Sequence, residues 1–380
     1  MSNRLKGASL VPLRLKQARQ ARGITASELA ELVGVSRQMI NRYESGASLP
    51  SPEVCFRLAQ ELNVPIGFFS KPVDETDSAG AVFYRKAAAT TDRVQRMVEE
   101  RVRWIWNITS YIEKFVDLPK KDLPDFGNIE RPDEGWNYDV IEELAAKTRR
   151  AWGLGDGPIG NLVMLLEQHG VIIGRLPEMS QHVDACSWVT KSHPFMLLES
   201  SKTAVRERFD LAHELGHLVL HTGIDPEIVL DKQTHKRIED EAHRFASAFL
   251  LPKDTFSMEV VLPSLAQLQI LKSRWKVSIS AMVYRIRDLE LIDQMSFQRL
   301  YKQISGRGWN RQEPLDDSLE KEQPSLLRES FELLIEHQIK TPEGILNDLE
   351  LPQADVESLC VLPKGSLNPI RTRASVKLIK

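Results

Sequence analysis

The stretch Phe209-Asp-Leu-Ala-His213-Glu214-Leu-Gly-His217-Leu-Val-Leu-His221 decides how the middle of this chain folds. It contains His-Glu-x-x-His, and residues four apart on a helix lie on one face, one turn above each other. His213 and His217 therefore direct two imidazoles at one point, at a spacing that a tetrahedral zinc ion accepts. Glu214 lies beside that point, where a general base can take a proton from water activated by the metal.

The motif alone has an alternative interpretation, a buried amphipathic helix whose histidines hydrogen-bond within the core. A third ligand decides between the two. One known class of zinc helix places a Gly and then a further His after the second motif His, but those positions hold Leu220 and Gly223 here, which excludes that class. His221 lies one helical turn after His217. It is predicted to be a surface residue or one that supports a ligand from behind, with metal ligation as the alternative.

Glu239 is the other candidate for the third ligand, and it follows His217 by 22 residues. It lies in the helix-forming run 237–251, which Pro252 ends and whose apolar residues recur at helical spacing. A carboxylate on the flank of such an apolar face is costly unless it is paired or metal-bound. Glu241 points elsewhere on the same helix, and we expect it to be a solvated charge.

These segments resemble the ImmA/IrrE family of zinc metallopeptidases over about residues 80 to 295. The matching blocks are Arg206-x-Arg208-Phe209 before the motif, Glu239-x-x-Ala242-x-x-Phe245-Ala246, Phe249-Leu-Leu-Pro252 and Lys272-x-Arg-Trp275-x-Val-Ser278. The resemblance implies a Zn²⁺-dependent endopeptidase with zinc on His213, His217 and Glu239, and with Glu214 as general base. It also implies a protein substrate, often a helix-turn-helix repressor that is removed during a stress or phage-related response.

The chain departs from that family at His243. Four residues after the ligand Glu, the family usually places Asn or Asp, which can orient a ligand His. Here His243 holds the position. It is predicted to orient a ligand in the same way or to act as an alternative ligand, and a third interpretation is that it marks a weakened site.

Residues 11 to 69 form a second informative unit. Thr25 and Glu28 form a capping box that opens a helix over residues 26–33, and Gly34 ends it. Ser36 caps the next helix, over residues 37–44. Two helices joined by a short Gly-containing turn are the helix-turn-helix arrangement.

The second of these helices is predicted to present Arg37, Gln38, Asn41 and Arg42 to solvent, with Ser36 at its start. Arg, Gln and Asn are suited to bidentate contacts with guanine and adenine edges in the major groove. The segment resembles the lambda-repressor/Cro-type (XRE) helix-turn-helix domain through Leu15-Lys16-x-Ala18-Arg19, Gly23-Ile-Thr25, Val35-Ser36-Arg37-Gln38-x-Ile40-x-Arg42-Tyr43-Glu44-x-Gly46 and Pro50. The resemblance implies double-stranded DNA as a partner.

The charge distribution agrees with DNA binding. Residues 1–70 hold nine Lys or Arg and five Asp or Glu, a balance of +4, whereas the whole chain carries −3. Positive charge is therefore concentrated where phosphate contacts would be needed. The alternative is a helix-turn-helix retained for dimerisation or protein binding.

The composition is that of an ordinary soluble protein, with 42% hydrophobic and 27% charged residues. No run approaches a membrane span, and Met1 to Lys16 lacks the apolar core of a signal peptide, so we expect no membrane partner. The three cysteines, Cys55, Cys186 and Cys360, form no C-x-x-C pair. This usage favours a reduced, cytoplasmic protein that is not a cysteine-zinc protein.

We therefore expect a mainly α fold with a small β-sheet, of the α+β class. The predicted parts are an all-α, five-helix DNA-binding domain at 1–72, a zincin-like metallopeptidase domain at 80–300 and a helical region with a basic tail at 301–380. Residues 71–80 are predicted to be a linker. Residues 87–115 are predicted to form a long helix that joins the domains or supports a homodimer. Region 301–380 carries no motif and receives no predicted role.

Three hypotheses for the function follow. In the first, a DNA-binding transcriptional regulator carries a zinc endopeptidase domain that cleaves itself, a repressor or a toxin-like partner. In the second, the chain is a non-catalytic transcription factor or antitoxin that uses the peptidase fold as a sensor. The third is a protease whose helix-turn-helix docks onto a homologous repressor, and it predicts salt-insensitive behaviour toward DNA.

Overall fold

The computed structural model describes residues 10–72, 82–84, 91–124, 126, 132, 134–176, 185–222, 224 and 231–368. Within them the chain forms α1 (Pro12–Ala21), α2 (Ala26–Val33), α3 (Arg37–Glu44), α4 (Pro52–Glu61), a 3₁₀ helix (Ile66–Ser70), β1 (Val82–Tyr84), α5 (Asp92–Ile112), α6 (Tyr138–Ala151), α7 (Leu162–Gln168), β2 (Ile172–Leu176), β3 (Ala185–Val189), β4 (Pro194–Glu199), α8 (Ala204–Leu220), α9 (Lys232–Leu250), α10 (Lys253–Glu259), α11 (Leu265–Trp275), α12 (Ile279–Asp288), α13 (Gln294–Gly306), α14 (Leu326–Glu336), α15 (Pro342–Leu349) and α16 (Gln353–Leu359). The predicted fold class, mainly α with one small sheet, is confirmed.

Local capping builds the amino-terminal unit as predicted. The Thr25 hydroxyl accepts the Glu28 backbone N–H at 3.2 Å, and the Glu28 carboxylate accepts the Thr25 backbone N–H in return. Gly34 then adopts a left-handed φ of 68°, which ends α2. Ser36 caps α3 by accepting the Met39 N–H at 3.3 Å. Four α-helices and one 3₁₀ helix make up the five predicted helices.

The sheet has the strand order β1-β3-β4-β2. The β1–β3 and β3–β4 pairs are antiparallel, and β2 runs parallel to β4. Every residue of β4 is buried, as are those of β2, which is the pattern of strands covered on both faces. Helix α8 packs against β3 and β4, so the helix that carries the His-Glu-x-x-His motif lies on the sheet.

Helices α8 and α9 pack against each other more extensively than any other helix pair of the central unit. Gly216 makes this approach possible, because a Cβ at that position would lie 3.2 Å from the backbone of Ala242 and 3.2 Å from Cβ of Phe245. A side chain there would push the two helices apart. The pairing brings the middle of α9 against the second half of α8.

Residues 307–325 cross the surface of the central unit and are held there by ion pairs with limited exposure. Lys272, which is fully buried, pairs with Glu313 at 2.9 Å and with Asp316 at 2.6 Å. Arg208 pairs with Glu322, whose carboxylate also accepts the Leu162 N–H at the start of α7. Two charged residues of the family-like sequence blocks thus hold the chain that follows α13.

The carboxy-terminal helices α14, α15 and α16 pack on α5, and α14 and α16 also pack on β2. Asp355 of α16 accepts hydrogen bonds from Arg22, at 2.7 Å, and from Arg101 of α5. Lys71 donates to the backbone oxygen of Leu349 at 3.0 Å. One continuous apolar core therefore joins the amino-terminal helices, α5, part of the sheet and the carboxy-terminal helices.

Several element boundaries differ from expectation. The long helix is shorter than predicted and spans Asp92–Ile112, because Thr91 caps it by accepting the Val94 N–H. Helices α10 and α13 were not predicted, and α13 runs through positions 300 and 301. Most of the predicted linker and the end of the basic tail lie outside the described residues. No described helix has both the length and the apolar character that a membrane crossing requires.

Candidate metal centre

Three side chains from two helices converge at the centre of the α8–α9 pair. Nε2 of His213 and Nε2 of His217 lie 3.0 Å apart. Across the interface, one carboxylate oxygen of Glu239 lies 3.3 Å from Nε2 of His213 and the other lies 3.5 Å from Nε2 of His217. Among the described residues this is the one group of His, Cys, Asp or Glu side chains close enough together to hold a metal ion.

The donor set fits zinc. Tetrahedral bonds of about 2.0–2.1 Å place neighbouring donor atoms about 3.3 Å apart, and the closest approach of nitrogen or oxygen atoms in each pair of these side chains lies between 3.0 and 3.5 Å. Two imidazole nitrogens and a carboxylate are the ligand types that a catalytic zinc site uses. Both histidines are almost fully buried, and Glu239 is 17% exposed. The side chains converge on one another at distances that a single ion would bridge.

The protonation states of the ligands also suit a cation. Burial lowers the pKa of His213 well below its ordinary value, so the imidazole is neutral at pH 7. Burial opposes ionisation of Glu239, but the adjacent imidazoles of His213 and His217 outweigh burial and hold its pKa below the usual range. Neutral imidazoles and an ionised carboxylate are the forms that bind zinc.

Glu214 lies next to His213 in α8 and is completely buried. One carboxylate oxygen accepts a hydrogen bond from the Ser187 hydroxyl at 2.5 Å, and the other is buried and has no hydrogen-bond partner in the described part of the chain. Burial is the main cause that raises its pKa to about 7. A carboxyl group with that pKa can both take up and release a proton near neutral pH.

Ser187, on β3, is a site residue that the sequence analysis missed. Its Cα pairs with Met196 of β4, which fixes the strand next to α8. The side chain is fully buried and reaches Glu214 from the sheet. A buried hydroxyl in an otherwise apolar strand is the sequence signal that could have indicated it.

His221 and Glu241 correct one prediction. Glu241 is not a solvated charge, because it is 1% exposed and contacts Nε2 of His221 at 2.8 Å. Its second oxygen accepts the backbone N–H of Trp136 at 2.8 Å, and this partner lies 105 residues earlier in the chain. His221 is fully buried, and its Nδ1 lies 3.0 Å from Nδ1 of His217. The predicted surface location of His221 is therefore excluded, and the residue lies behind the imidazole of His217.

His243 is not one of the three converging donors. Its ring packs against the ring of His213, with 4.5 Å between centroids, and against Phe209 at 5.6 Å. It also lines a cavity of about 510 Å³ together with Tyr138 and Tyr284. The residue thus contacts both His213 and this neighbouring cavity.

The predicted DNA-binding residues lie elsewhere, on the outer face of α3. Arg37, Gln38, Asn41 and Arg42 are all exposed, while Ile40 and Tyr43 on the opposite face are buried in the amino-terminal core. Ser36 is exposed as well and caps the helix. The helix therefore presents its polar face to solvent and its apolar face to α1 and α2.

Two regions of the chain match known families. Residues 166–287 match the IrrE N-terminal-like domain of the Peptidase M78 family. Residues 15–69 match the helix-turn-helix family. The first match contains the three converging donors and Glu214, and the second contains all the predicted DNA-binding residues.

Curated relatives match parts of this chain. The HTH-type transcriptional regulator SutR of Escherichia coli is 43% identical over 58 residues, which cover 15% of this chain and 33% of that protein. A protein of Methanocaldococcus jannaschii named as an HTH-type transcriptional regulatory protein is 42% identical over 67 residues, covering 17% of this chain and 21% of the relative. A protein of the same description from Methanococcus vannielii is 25% identical over 201 residues, half of each chain. This chain thus spans half or less of the length of each of these relatives.

Among solved structures, Bacillus thuringiensis PlcR in complex with the peptide PapR7 and DNA aligns with 90% of this chain and 100% of its own, at 14% identity. Its TM-score of 0.16 is too low to carry an argument about fold or function. The two family matches do support a conclusion about the domains of this chain. The chain joins an amino-terminal helix-turn-helix domain of the XRE type to an IrrE/ImmA-like domain of the Peptidase M78 family.

Proposed function

We propose that the protein is a DNA-binding regulator whose IrrE-like domain is a zinc-dependent endopeptidase. The observation that carries the proposal is the convergence of His213, His217 and Glu239, with the buried Glu214 adjoining them in sequence and in space. A site with a sensing role alone has no need of a buried carboxyl that titrates near neutral pH beside the ligands.

His213, His217 and Glu239 would hold the zinc. When bound, zinc supplies a Lewis acid that acidifies water and polarises a carbonyl group. Glu214 accepts the proton that the attacking water gives up and passes it to the leaving amine. Ser187 holds one oxygen of Glu214 at 2.5 Å, which leaves the other oxygen, the one without a partner, for the proton.

The DNA-binding half of the proposal rests on the outer face of α3. Arg37, Gln38, Asn41 and Arg42 are exposed on one helix whose apolar side is fixed in a core. An exposed row of this chemistry on a helix-turn-helix matches direct readout in the major groove. Double-stranded DNA is the proposed partner of this face, and a protein, either the chain itself or a helix-turn-helix or toxin-like partner, is the proposed substrate of the metal centre.

A single variant tests the peptidase. Wild type and Glu214→Gln are purified, loaded with one equivalent of zinc and assayed for bound metal. Each is then incubated with β-casein and alone, with and without a 30-bp duplex. We expect zinc in both proteins and cleavage of at least one of the two substrates by wild type only, since Gln cannot accept the proton.

The same experiment decides against the non-catalytic hypothesis or for it. Zinc bound by both proteins with no cleavage of casein or of the chain itself would favour the sensor. Equal cleavage by both proteins would remove Glu214 from the reaction. A wild type that binds no zinc, with stability unchanged by chelator, would overturn the metal centre altogether.

A further inference from the structure

A line of hydrogen-bonded groups runs from the metal centre to the backbone near the end of α8. Nδ1 of His217 lies 3.0 Å from Nδ1 of His221, and Nε2 of His221 lies 2.8 Å from Oε2 of Glu241. Oε1 of Glu241 accepts the Trp136 N–H at 2.8 Å. All three side chains are at most 1% exposed. We call these four groups, Trp136 N–H, Glu241, His221 and His217, the relay.

Only one placement of protons satisfies the relay when His217 is a ligand. Nε2 of His217 must carry a lone pair toward the metal, so the proton of that imidazole sits on Nδ1. That N–H donates to Nδ1 of His221, which puts the proton of His221 on Nε2. The second N–H donates to Glu241. The buried carboxylate thereby fixes the tautomers of both imidazoles in series.

The backbone around Trp136 is shaped to receive Glu241. Gly135 has a left-handed φ of 92°, and a Cβ there would collide with Oε1 of Glu241 and with Arg237. Only glycine allows the approach, because it combines that φ with the absence of a side chain. Trp136 is also fixed at its other end, where its indole N–H donates to the backbone oxygen of Leu220 at 3.2 Å. The donor at the end of the relay, the Trp136 backbone N–H, is therefore held on two sides.

The two histidine ligands differ in this respect. Nδ1 of His213 is buried and has no hydrogen-bond partner among the described residues. The ring of His213 is positioned by packing against His243 and His217. His217 is positioned by hydrogen bonds that end on a buried negative charge. The centre thus has one ligand whose Nδ1 has no hydrogen bond among the described residues and one ligand whose Nδ1 is linked through His221 to the buried Glu241.

We propose that Glu241 and His221 are positioning residues that fix the tautomer of His217 and raise its affinity for zinc. The inference rests on the proposed metal centre but concerns residues that lie outside it. Because the negative charge of Glu241 strengthens the donor power of His217 through His221, its removal weakens metal binding without removing a ligand.

Zinc affinity in Glu241→Gln provides the first test. Affinity is measured by competition with a chromophoric chelator, with Asp240→Asn as the matched control, since Asp240 neighbours Glu241 on α9 and is exposed. We expect Glu241→Gln to bind zinc about 10- to 100-fold more weakly than wild type and the control to bind as wild type. Thermal unfolding of the metal-free proteins checks that the variant is folded. Equal affinity in a folded Glu241→Gln would overturn the proposal.

The tautomer of His217 provides a second test, which does not need zinc. Long-range ¹H–¹⁵N correlation spectra of the metal-free protein report which ring nitrogen carries the proton. The carboxylate of Glu241 needs an N–H on Nε2 of His221, which leaves Nδ1 of His221 to accept from Nδ1–H of His217 without metal as well. We expect Nδ1–H for His217 and Nε2–H for His221 in wild type, and loss of this single pattern in His221→Gln. Nε2–H on His217 in wild type would contradict the relay even if the protein proved to bind zinc and cleave peptides. Failure of zinc binding in wild type, with the predicted tautomers present, would overturn the proposed function and the effect on zinc affinity, and would leave the tautomer assignment standing.

Discussion

The two candidate functional surfaces are built in opposite ways. The polar face of α3 consists of neighbours within one helix of eight residues, exposed to solvent and fixed only by the apolar face behind them. The metal centre takes side chains from α8 and α9, buries them and supports them from β3 and from the backbone at Trp136. A surface for recognition can thus be formed by residues close together in sequence, whereas a site for chemistry needs groups brought together from distant parts of the chain. Substitutions at the two sites should therefore fail differently.

The largest effect is expected at Glu239. Glu239→Ala leaves two buried histidines and removes the only carboxylate of the donor set. We expect zinc affinity to fall by more than about 1,000-fold, since three protein ligands are the norm for a catalytic zinc and two are not enough. Chelator competition measures this loss, and DNA binding of the same variant is expected to stay at the wild-type level. A variant with near-normal zinc affinity would show that Glu239 is not a ligand.

The next largest effect is expected at Asp355 of α16, whose carboxylate pairs with Arg22, at the end of α1, and with Arg101 of α5. Burial opposes ionisation of this carboxyl, but Arg101 and Arg22 outweigh burial and hold its pKa below the ordinary value. Because the pKa of Asp355 is lower in the folded state, the ionised group stabilises the fold at any pH above its unfolded-state pKa of about 4. This stabilisation is lost as the pH falls through the lower pKa of the folded state. Asp355→Asn should lower the free energy of unfolding by about 3 kcal/mol at pH 7.

Denaturant unfolding between pH 7 and pH 3 measures both parts of this prediction. Wild type should lose stability on acidification more steeply than the variant, because the variant lacks the titrating group. Asp348→Asn is a suitable control, since Asp348 is a more exposed acid of the same carboxy-terminal region and pairs with Lys340. Parallel pH profiles for wild type and Asp355→Asn would contradict the assignment.

A smaller effect is expected on the face of α3. Arg42→Ala should weaken binding to a selected duplex by about 1–3 kcal/mol if the arginine reads a base edge. Arg57→Ala is the matched control, because Arg57 is exposed on α4 and lies off the recognition face. Fluorescence anisotropy at several salt concentrations gives both affinity and salt slope. A wild-type slope near zero would favour protein docking over DNA binding.

The smallest effect is expected at Ser187. Its hydrogen bond to Glu214 lowers the pKa that burial raises to about 7, so Ser187→Ala should raise that pKa further. Because the base must be deprotonated to act, the acidic limb of the pH–rate profile should move to higher pH, by less than about one pH unit. A shift toward lower pH would show that Ser187 destabilises the carboxylate.

The same difference between local and long-range features determines how much of each site the sequence alone predicts. The bounds of α2 and α3 were predicted to the residue, because their start and end signals, Thr25, Gly34 and Ser36, are local. The convergence of His213 and His217 could be predicted from the helical repeat alone, because residues four apart lie on one face. Glu239 was reachable because a carboxylate on the flank of an apolar helix face is unusual.

The remaining features depend on contacts that no local pattern contains. Glu241 was predicted to be solvated, because nothing near it in sequence indicates that Trp136 covers it. Ser187 reaches Glu214 only because β3 lies beside α8. The packing of α14, α15 and α16 on the amino-terminal half could not be predicted, since their apolar spacing indicates a buried face but not its partner.

The shared core has a consequence for the order of events during synthesis. Arg22 and Asp355 are 333 positions apart, and the chain is made from the amino terminus. The helix-turn-helix domain therefore emerges from the ribosome long before the helices that cover one of its sides, and it must fold with that side exposed to water. A ribosome-bound chain halted before residue 326 should expose apolar surface that chaperones recognise, and should lose it once α16 has emerged.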